Sequence, residues 1–167
     1  MMNRAWYLAL AALIFIVDRF TKIMIEKHFS VYDTLTVVPG FFDLVHTKNR
    51  GAAFGMFSEG DGFWRSALLI GVSVAVLCFI SYMLLLPGRG GFPASKLTSI
   101  GLALVMGGAL GNIYDRIAYG MVTDFLEFYY GSFRFAAFNI ADSAITVGAA
   151  LLIIDMWFSK REQARTT

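Results

Sequence analysis

The fold is decided by the stretch Phe138-Asn-Ile-Ala-Asp-Ser-Ala-Ile-Thr-Val-Gly-Ala-Ala-Leu-Leu-Ile-Ile-Asp-Met-Trp-Phe158, which starts polar and continues apolar. A membrane helix needs about 20 mainly apolar residues to cross about 30 Å of hydrocarbon. The polar side chains at its start are spaced i, i+3, i+4 and i+7, so they share one helix face: Asn139, Asp142, Ser143 and Thr146. Because lipid offers them no hydrogen bonds, this face must meet protein or water.

Three further segments are long and apolar enough to span a membrane, at about residues 6–24, 63–86 and 97–113. The chain of 167 residues is 57% hydrophobic and only 16% charged, whereas a soluble domain carries about a quarter charged residues. We therefore expect an α-helical integral membrane protein, a single domain over residues 1–167 with four transmembrane helices, the last at about 138–158. A formal net charge of +2 with scattered basic residues predicts no nucleic-acid partner.

Charge predicts the orientation of these spans. An even number of spans places both termini on one side, and basic residues flank that side: Arg4, Arg89, Lys96, Lys160, Arg161 and Arg165. By the positive-inside rule this side is cytoplasmic. Residues 25–62 and 114–137 are then outer loops. Only the first has strand character, at residues 30–38 and 41–47 around Pro39-Gly40, which predicts a small β-rich hairpin or sheet on the outer membrane face.

Two aspartates, Asp124 and Asp142, border apolar runs. A carboxylate at the centre of a membrane helix costs about 2.5–3.5 kcal/mol on insertion scales, so such a residue suggests a functional site. Two carboxylates that lie close together share a proton and titrate as a unit. This is the condition for aspartic proteolysis, in which the ionised member activates water while the protonated one polarises the scissile carbonyl. Spacing alone leaves proteolysis and proton or ion translocation both open.

Other polar residues are candidates to support these two carboxylates. Asn112, Asn139 and Arg116 are candidates to orient the two carboxylates or to stabilise an oxyanion. Asp18 and Lys22 are spaced to pair on one helix face.

Further residues have structural interpretations. Glycines at 107, 108 and 111 predict close helix packing, which is compatible with room for a substrate backbone. Asp115 is expected to cap or pair at the end of the third span, and Asp155 to be an ordinary interfacial acid. Cys78 is alone, so no intrachain disulfide is possible, and no zinc-protease motif occurs.

Five blocks, in order along nearly the whole chain, resemble signal peptidase II, the bacterial prolipoprotein signal peptidase family. They are Asp18-Arg-Phe-Thr-Lys22, Asn49-Arg-Gly-Ala-Ala-Phe-Gly55, Gly107-Gly-Ala-Leu-Gly-Asn-Ile-Tyr-Asp-Arg116, Gly120-Met-Val-Thr-Asp-Phe125 and Phe138-Asn-Ile-Ala-Asp142. The resemblance implies an endopeptidase that removes the signal peptide from diacylglyceryl-modified prolipoproteins, cutting on the N-terminal side of the lipid-modified cysteine.

The resemblance also implies where the chemistry lies. The family's catalytic aspartates fall on Asp124 and Asp142. Its other polar site positions match Asp18, Asn49, Gly51, Gly108, Asn112, Arg116, Asn139 and Ala141. No metal or organic cofactor is expected, globomycin-type cyclic peptides are expected to inhibit, and a monomer in the bacterial cytoplasmic (inner) membrane, with its site toward the periplasm, is implied. Two other functions fit the sequence less well. A proton- or ion-coupled carrier would need polar groups that cross the bilayer, whereas these groups cluster toward one face. A non-catalytic scaffold protein would not explain the Asn-Ile-Ala-Asp and Asp-Phe blocks.

Overall fold

The computed structural model describes residues 4–51, 62–85 and 95–166. The helices in these ranges are α1 (Arg4–His28), α2 (Gly62–Leu85), α3 (Lys96–Tyr119) and α4 (Ile140–Thr166). The strands are β1 (Thr34–Val38), β2 (Phe42–Asn49), β3 (Val122–Tyr130) and β4 (Phe133–Arg134). Each predicted span therefore falls on a helix.

Three of the described helices are long and apolar enough to cross a membrane, with spans at Ala67–Leu84, Lys96–Tyr119 and Ile140–Ser159. Their apolar side chains are largely exposed on α2 and α4, as expected for helices that face hydrocarbon rather than a soluble core. These helices fit an integral membrane protein. The status of α1 as a fourth span stays a prediction, because charged residues interrupt its apolar run.

Helix α3 is the centre of the bundle and packs against α4, α1 and α2. Glycines permit this close approach. A Cβ atom added to Gly101 would lie 2.9 Å from the Gly148 carbonyl oxygen, and one added to Gly148 would lie 2.6 Å from the Gly101 carbonyl oxygen. Gly107 faces the backbone of Ala11 on α1 in the same way. The packing predicted for the glycines of this helix therefore occurs on two of its faces.

A buried polar cluster ties the start of α3 to α4. The Ser95 hydroxyl oxygen caps α3 by accepting a hydrogen bond from the Thr98 backbone N–H at 3.0 Å. The side-chain hydroxyls of Ser95 and Thr98 both donate hydrogen bonds to the Asp155 carboxylate, and the Thr98 hydroxyl does so at 2.5 Å. Asp155 is only 9% exposed, so its interpretation as an ordinary interfacial acid was wrong. Its partners lie on another helix, and no local pattern reveals them.

The strands form one antiparallel sheet in the order β1-β2-β3-β4. The predicted hairpin is confirmed as β1 and β2, with Gly40 in the left-handed conformation at the turn. The expectation that only the first outer loop has strand character was wrong. Within residues 114–137, α3 continues to Tyr119 and is followed by β3 and β4. Their β-branched and aromatic residues favour strands, but β3 needs β2, which is remote in sequence, as its partner.

The glycine contact between α3 and α4 predicts the effect of a single methyl group. Gly148→Ala should destabilise the protein by about 1–3 kcal/mol, because its methyl group must push the two backbones apart. The matched control is Gly71→Ala on α2, where an added Cβ meets nothing within 4 Å. Thermal unfolding in detergent should show a lower transition temperature for the first variant only. Equal stability of both variants would contradict the close packing.

Candidate active site

Asp142 is positioned by the start of α4. The Asn139 side-chain oxygen accepts a hydrogen bond from the Asp142 backbone N–H at 2.9 Å, and Asp142 Oδ2 accepts one from the Asn139 backbone N–H at 3.3 Å. This is a reciprocal capping arrangement, with asparagine as the cap and aspartate three residues later. The first turn of a helix also favours a negative charge. The local sequence thus places a carboxylate at this helix end.

Asp124 is positioned by the sheet. It lies on β3 opposite Thr47 of β2, and its side chain is only 2% exposed. Asn139 Nδ2 donates to Asp124 Oδ1 at 2.7 Å, and Asn49 Nδ2 donates to Asp124 Oδ2 at 3.0 Å. Asn139 therefore bonds to both aspartates and holds the strand carboxylate beside the helix carboxylate.

Asn112 of α3 connects the second carboxylate to a buried lysine. Its Nδ2 donates to Asp142 Oδ1 at 2.7 Å, while its Oδ1 accepts from Lys22 Nζ at 3.0 Å. An ammonium group can only donate. Lys22 therefore requires the amide oxygen of Asn112 to face it, which leaves the amide nitrogen for Asp142.

Lys22 belongs to a buried network of four charges. Its Nζ lies 2.8 Å from Asp18 Oδ2 and 2.8 Å from Asp115 Oδ2, and Arg19 pairs with Asp115. The expected Asp18–Lys22 pair is confirmed, and Asp115 pairs as expected, with two cations of α1. Asp18 Oδ1 also accepts a hydrogen bond from the Ala141 backbone N–H at 2.9 Å, so it satisfies a second donor at the start of α4. The charges balance, which makes their burial tolerable.

The two aspartates open onto a cavity of about 500 Å³. Asn49, Asn112 and Arg116 form polar parts of its wall, and residues 135–138 form an apolar wall. Helix α4 also contributes Ser143, Ile145, Thr146 and Val147. The cavity therefore offers polar groups beside an apolar surface, which suits a peptide that carries apolar side chains.

Arg116, which lines this wall, is held in place by two backbone carbonyls. Its guanidinium donates to the Gly51 carbonyl oxygen at 3.1 Å and to the Asn112 carbonyl oxygen at 3.3 Å. Its Nε is buried and has no hydrogen-bond partner among the described residues. The Gly51 backbone N–H donates to Asn49 Oδ1 at 2.8 Å, so these residues anchor the chain as it enters residues 52–61. Those ten residues, including part of the second family block, lie outside the described residues.

Gly108 and Ala141 lie behind the site rather than on the cavity. A Cβ on Gly108 would overlap the Ala141 carbonyl oxygen and lie 2.9 Å from Ile145 Cγ1. They allow α3 to approach the start of α4, where Asp142 lies. Of the remaining predicted site residues, Asn49, Asn112, Arg116 and Asn139 meet around the two aspartates, whereas Asp18 and Gly51 contact neither of them. Sequence reasoning missed Arg19 as a partner of Asp115 and Lys22 as a partner of Asn112.

The environment of Asp124 changes its acidity. Burial, together with the neighbouring negative charge of Asp142, raises the pKa of Asp124 to about 7, against the opposing effect of the Asn49 and Asn139 hydrogen bonds. Near neutral pH, Asp124 therefore retains a proton in an appreciable fraction of molecules. No group of three or more His, Cys, Asp or Glu side chains suited to a metal ion occurs within residues 4–51, 62–85 and 95–166.

The chain is similar to known peptidases over most of its length. Residues 10–158 match the family described as signal peptidase (SPase) II. The sequence is 46% identical over 157 residues to a lipoprotein signal peptidase of Solibacter usitatus, covering 94% of this chain and 93% of that protein. It is 41% identical over 145 residues to that of Maridesulfovibrio salexigens, covering 87% and 90%.

Its structure also resembles two solved bacterial membrane enzymes. The first superposes with a TM-score of 0.82 at 27% identity and covers 93% of this chain and 90% of the other. The second has a TM-score of 0.75 at 28% identity, with 90% and 91% covered. The similarity therefore extends over helices and sheet together.

The charge network predicts that Lys22→Met destabilises the protein by about 3–5 kcal/mol, because it leaves buried carboxylates without their cation. Lys27→Met removes an exposed lysine from the same helix and is the matched control. Adding Asp18→Asn to Lys22→Met should recover part of the loss. Denaturant unfolding in detergent measures all three variants. A loss no greater than that of the control would contradict the structural role of Lys22.

Proposed function

The chain belongs to the signal peptidase II family, and we propose that it removes signal peptides from bacterial prolipoproteins by aspartic catalysis in the membrane. The family and the three apolar helices support a bacterial membrane peptidase. One observation carries the catalytic proposal: Asp124 and Asp142 are both bonded to Asn139, beside a cavity that both line.

In the proposed mechanism the two carboxylates have different roles. Asp124, whose pKa is raised to about 7, carries the proton and polarises the scissile carbonyl. Asp142 accepts hydrogen bonds from Asn112 and from the Asn139 backbone, which hold its carboxylate in place for the role of base. Asp142 takes a proton from water as the resulting hydroxide oxygen attacks the carbonyl carbon, while Asp124 gives its proton to the carbonyl oxygen.

The tetrahedral intermediate then collapses. The peptide C–N bond breaks, the proton held by Asp142 passes to the leaving amine, and the proton on the intermediate's oxygen returns to Asp124. Arg116, whose side chain lines the cavity, would stabilise the oxygen electrostatically as negative charge develops. The mechanism needs no metal or organic cofactor.

The substrate is proposed to be a diacylglyceryl-modified prolipoprotein, cut on the N-terminal side of the lipid-modified cysteine. Its lipid chains stay among membrane lipids of the outer leaflet, so the scissile bond meets the start of α4 at the periplasmic face of the bacterial inner membrane. Four spans with both termini in the cytoplasm give this placement, and the sheet is then extracytoplasmic. We expect the enzyme to act as a monomer and globomycin-type cyclic peptides to inhibit it.

Removing either carboxylic acid tests the catalytic proposal. Asp124→Asn and Asp142→Asn should each abolish cleavage of a diacylglyceryl-modified precursor peptide, because an amide can neither accept the water proton nor supply one to the carbonyl. Asp33→Asn, which changes an exposed carboxylate beside β1, should retain full activity. Rates are measured in detergent after thermal unfolding has verified that each variant is folded. Substantial activity in either of the first two variants would refute the paired mechanism.

The raised pKa of Asp124 predicts the pH dependence. Below pH 7, Asp124 holds the proton that the mechanism needs, and above pH 7 it loses that proton, so kcat/KM should fall by about tenfold per pH unit on the alkaline side. The Asn49 hydrogen bond lowers the pKa of Asp124, so Asn49→Leu should move this fall to higher pH. Thr146→Val, a change elsewhere in the cavity wall, is the control. A shift to lower pH in Asn49→Leu would contradict the assignment.

A further inference from the structure

The sheet ends at the cavity. In the order β1-β2-β3-β4, strand β4 is the last of the described strands, and the chain continues from it through residues 135–138 to the start of α4. We call residues 133–138 the edge segment. One side of it pairs with β3, and within it the backbones of Ala136 and Ala137 form no hydrogen bond to another described residue. Such an edge presents backbone donors and acceptors to any extended chain that reaches it.

The edge segment contains a bulge beside the aspartates. The Phe135 backbone N–H donates to the Phe128 carbonyl at 2.8 Å, and the Phe138 N–H donates to the Leu126 carbonyl at 3.0 Å. Two residues, Ala136 and Ala137, therefore stand where β3 has only Glu127 between these pairs. A bulge of this kind interrupts ladder pairing and re-aims the backbone, and bulges are frequent beside active sites.

The backbone groups of the two alanines are available. Neither Ala136 nor Ala137 forms a backbone hydrogen bond to any other residue in the part of the chain that the structure describes. Both line the cavity that Asp124 and Asp142 also line. Their side chains are single methyl groups, which let another backbone approach closely. Two alanine backbones without hydrogen bonds to other described residues, a bulge and small side chains thus coincide at the cavity wall.

We propose that Ala136 and Ala137 form a docking strand for the substrate, which binds as an added strand through its own backbone. The inference rests on the proposed function and specifies how the peptide is held. The edge segment runs from the sheet to the first residue of a membrane span. A peptide that is cut at the aspartates and continues out of the membrane runs antiparallel to the edge segment. The residues just after the lipid-modified cysteine are therefore the ones that pair.

This mode of binding has a consequence for specificity. Added strands gain affinity from main-chain hydrogen bonds, whereas side-chain pockets supply selectivity. The edge segment contributes two alanines at the paired positions and no charged side chain there. The enzyme should then accept many different residues after the cysteine, provided that their backbone N–H groups can donate hydrogen bonds and their backbone can adopt an extended conformation.

Substrate backbone methylation tests the proposal with the unmodified enzyme. In diacylglyceryl-modified precursor peptides, each of the first four residues after the cysteine is N-methylated in turn, which removes one N–H donor and blocks strand pairing. Methylation at alternate positions should raise KM by about tenfold and change kcat little, because successive N–H groups of a strand point to opposite sides. Matched peptides that carry an Ala→Ser change at the same positions are the controls and should be cleaved normally.

A second arm changes the enzyme. Ala136→Pro and Ala137→Pro each remove one backbone donor, and at least one should raise KM for the unmethylated peptide while leaving the pH profile of kcat unchanged. If methylation at every position leaves KM unchanged, or affects neighbouring positions equally, strand docking is refuted while cleavage of the parent peptide still supports the peptidase. If the parent peptide itself is not cleaved by the folded wild-type enzyme, the proposed function fails first.

Discussion

The site depends on Asn139. It directly precedes α4, its side-chain oxygen caps that helix at the Asp142 N–H, and its side-chain nitrogen donates to Asp124. The residue is completely buried. The same side chain that satisfies the orphan donors of a helix end therefore also sets the separation of two carboxylates that come from a helix and a strand. Helix capping and active-site geometry are one interaction here, so neither can be altered alone.

Buried charge extends this constraint to α1. Lys22 holds the Asn112 oxygen, and Asn112 holds Asp142. The lysine is fully buried, and its charge is balanced by Asp18 and Asp115. Replacing a buried ion network by apolar residues is often neutral for stability, so we interpret the network as a device for orientation. Lys22 fixes the orientation of the Asn112 side-chain amide, whose oxygen and nitrogen could otherwise exchange places.

Much of this arrangement could be predicted from the sequence, but only where its cause is local. Apolar runs predicted the helices, and Pro39-Gly40 between β-branched segments predicted the first hairpin. The spacing of Asn139 and Asp142 was interpreted as a shared helix face, although it is also a capping pattern that places Asp142 in the first turn. The Asp155 cluster and β3 depend on partners that are distant in sequence. No local period encodes such contacts.

The contacts between the sheet and the helices explain why the surroundings of Asp124 could not be predicted from the sequence alone. Successive side chains of a strand point to opposite faces, so Thr123 and Asp124 face different ways. The Thr123 hydroxyl donates to Glu26 of α1 at 2.5 Å and accepts from Lys48 of β2 at 2.8 Å. One residue thus fastens β3 to α1, while the next delivers a carboxylate to Asn139. Alternation along a single strand thus couples the attachment of the sheet to α1 with the placement of the Asp124 carboxylate beside the start of α4.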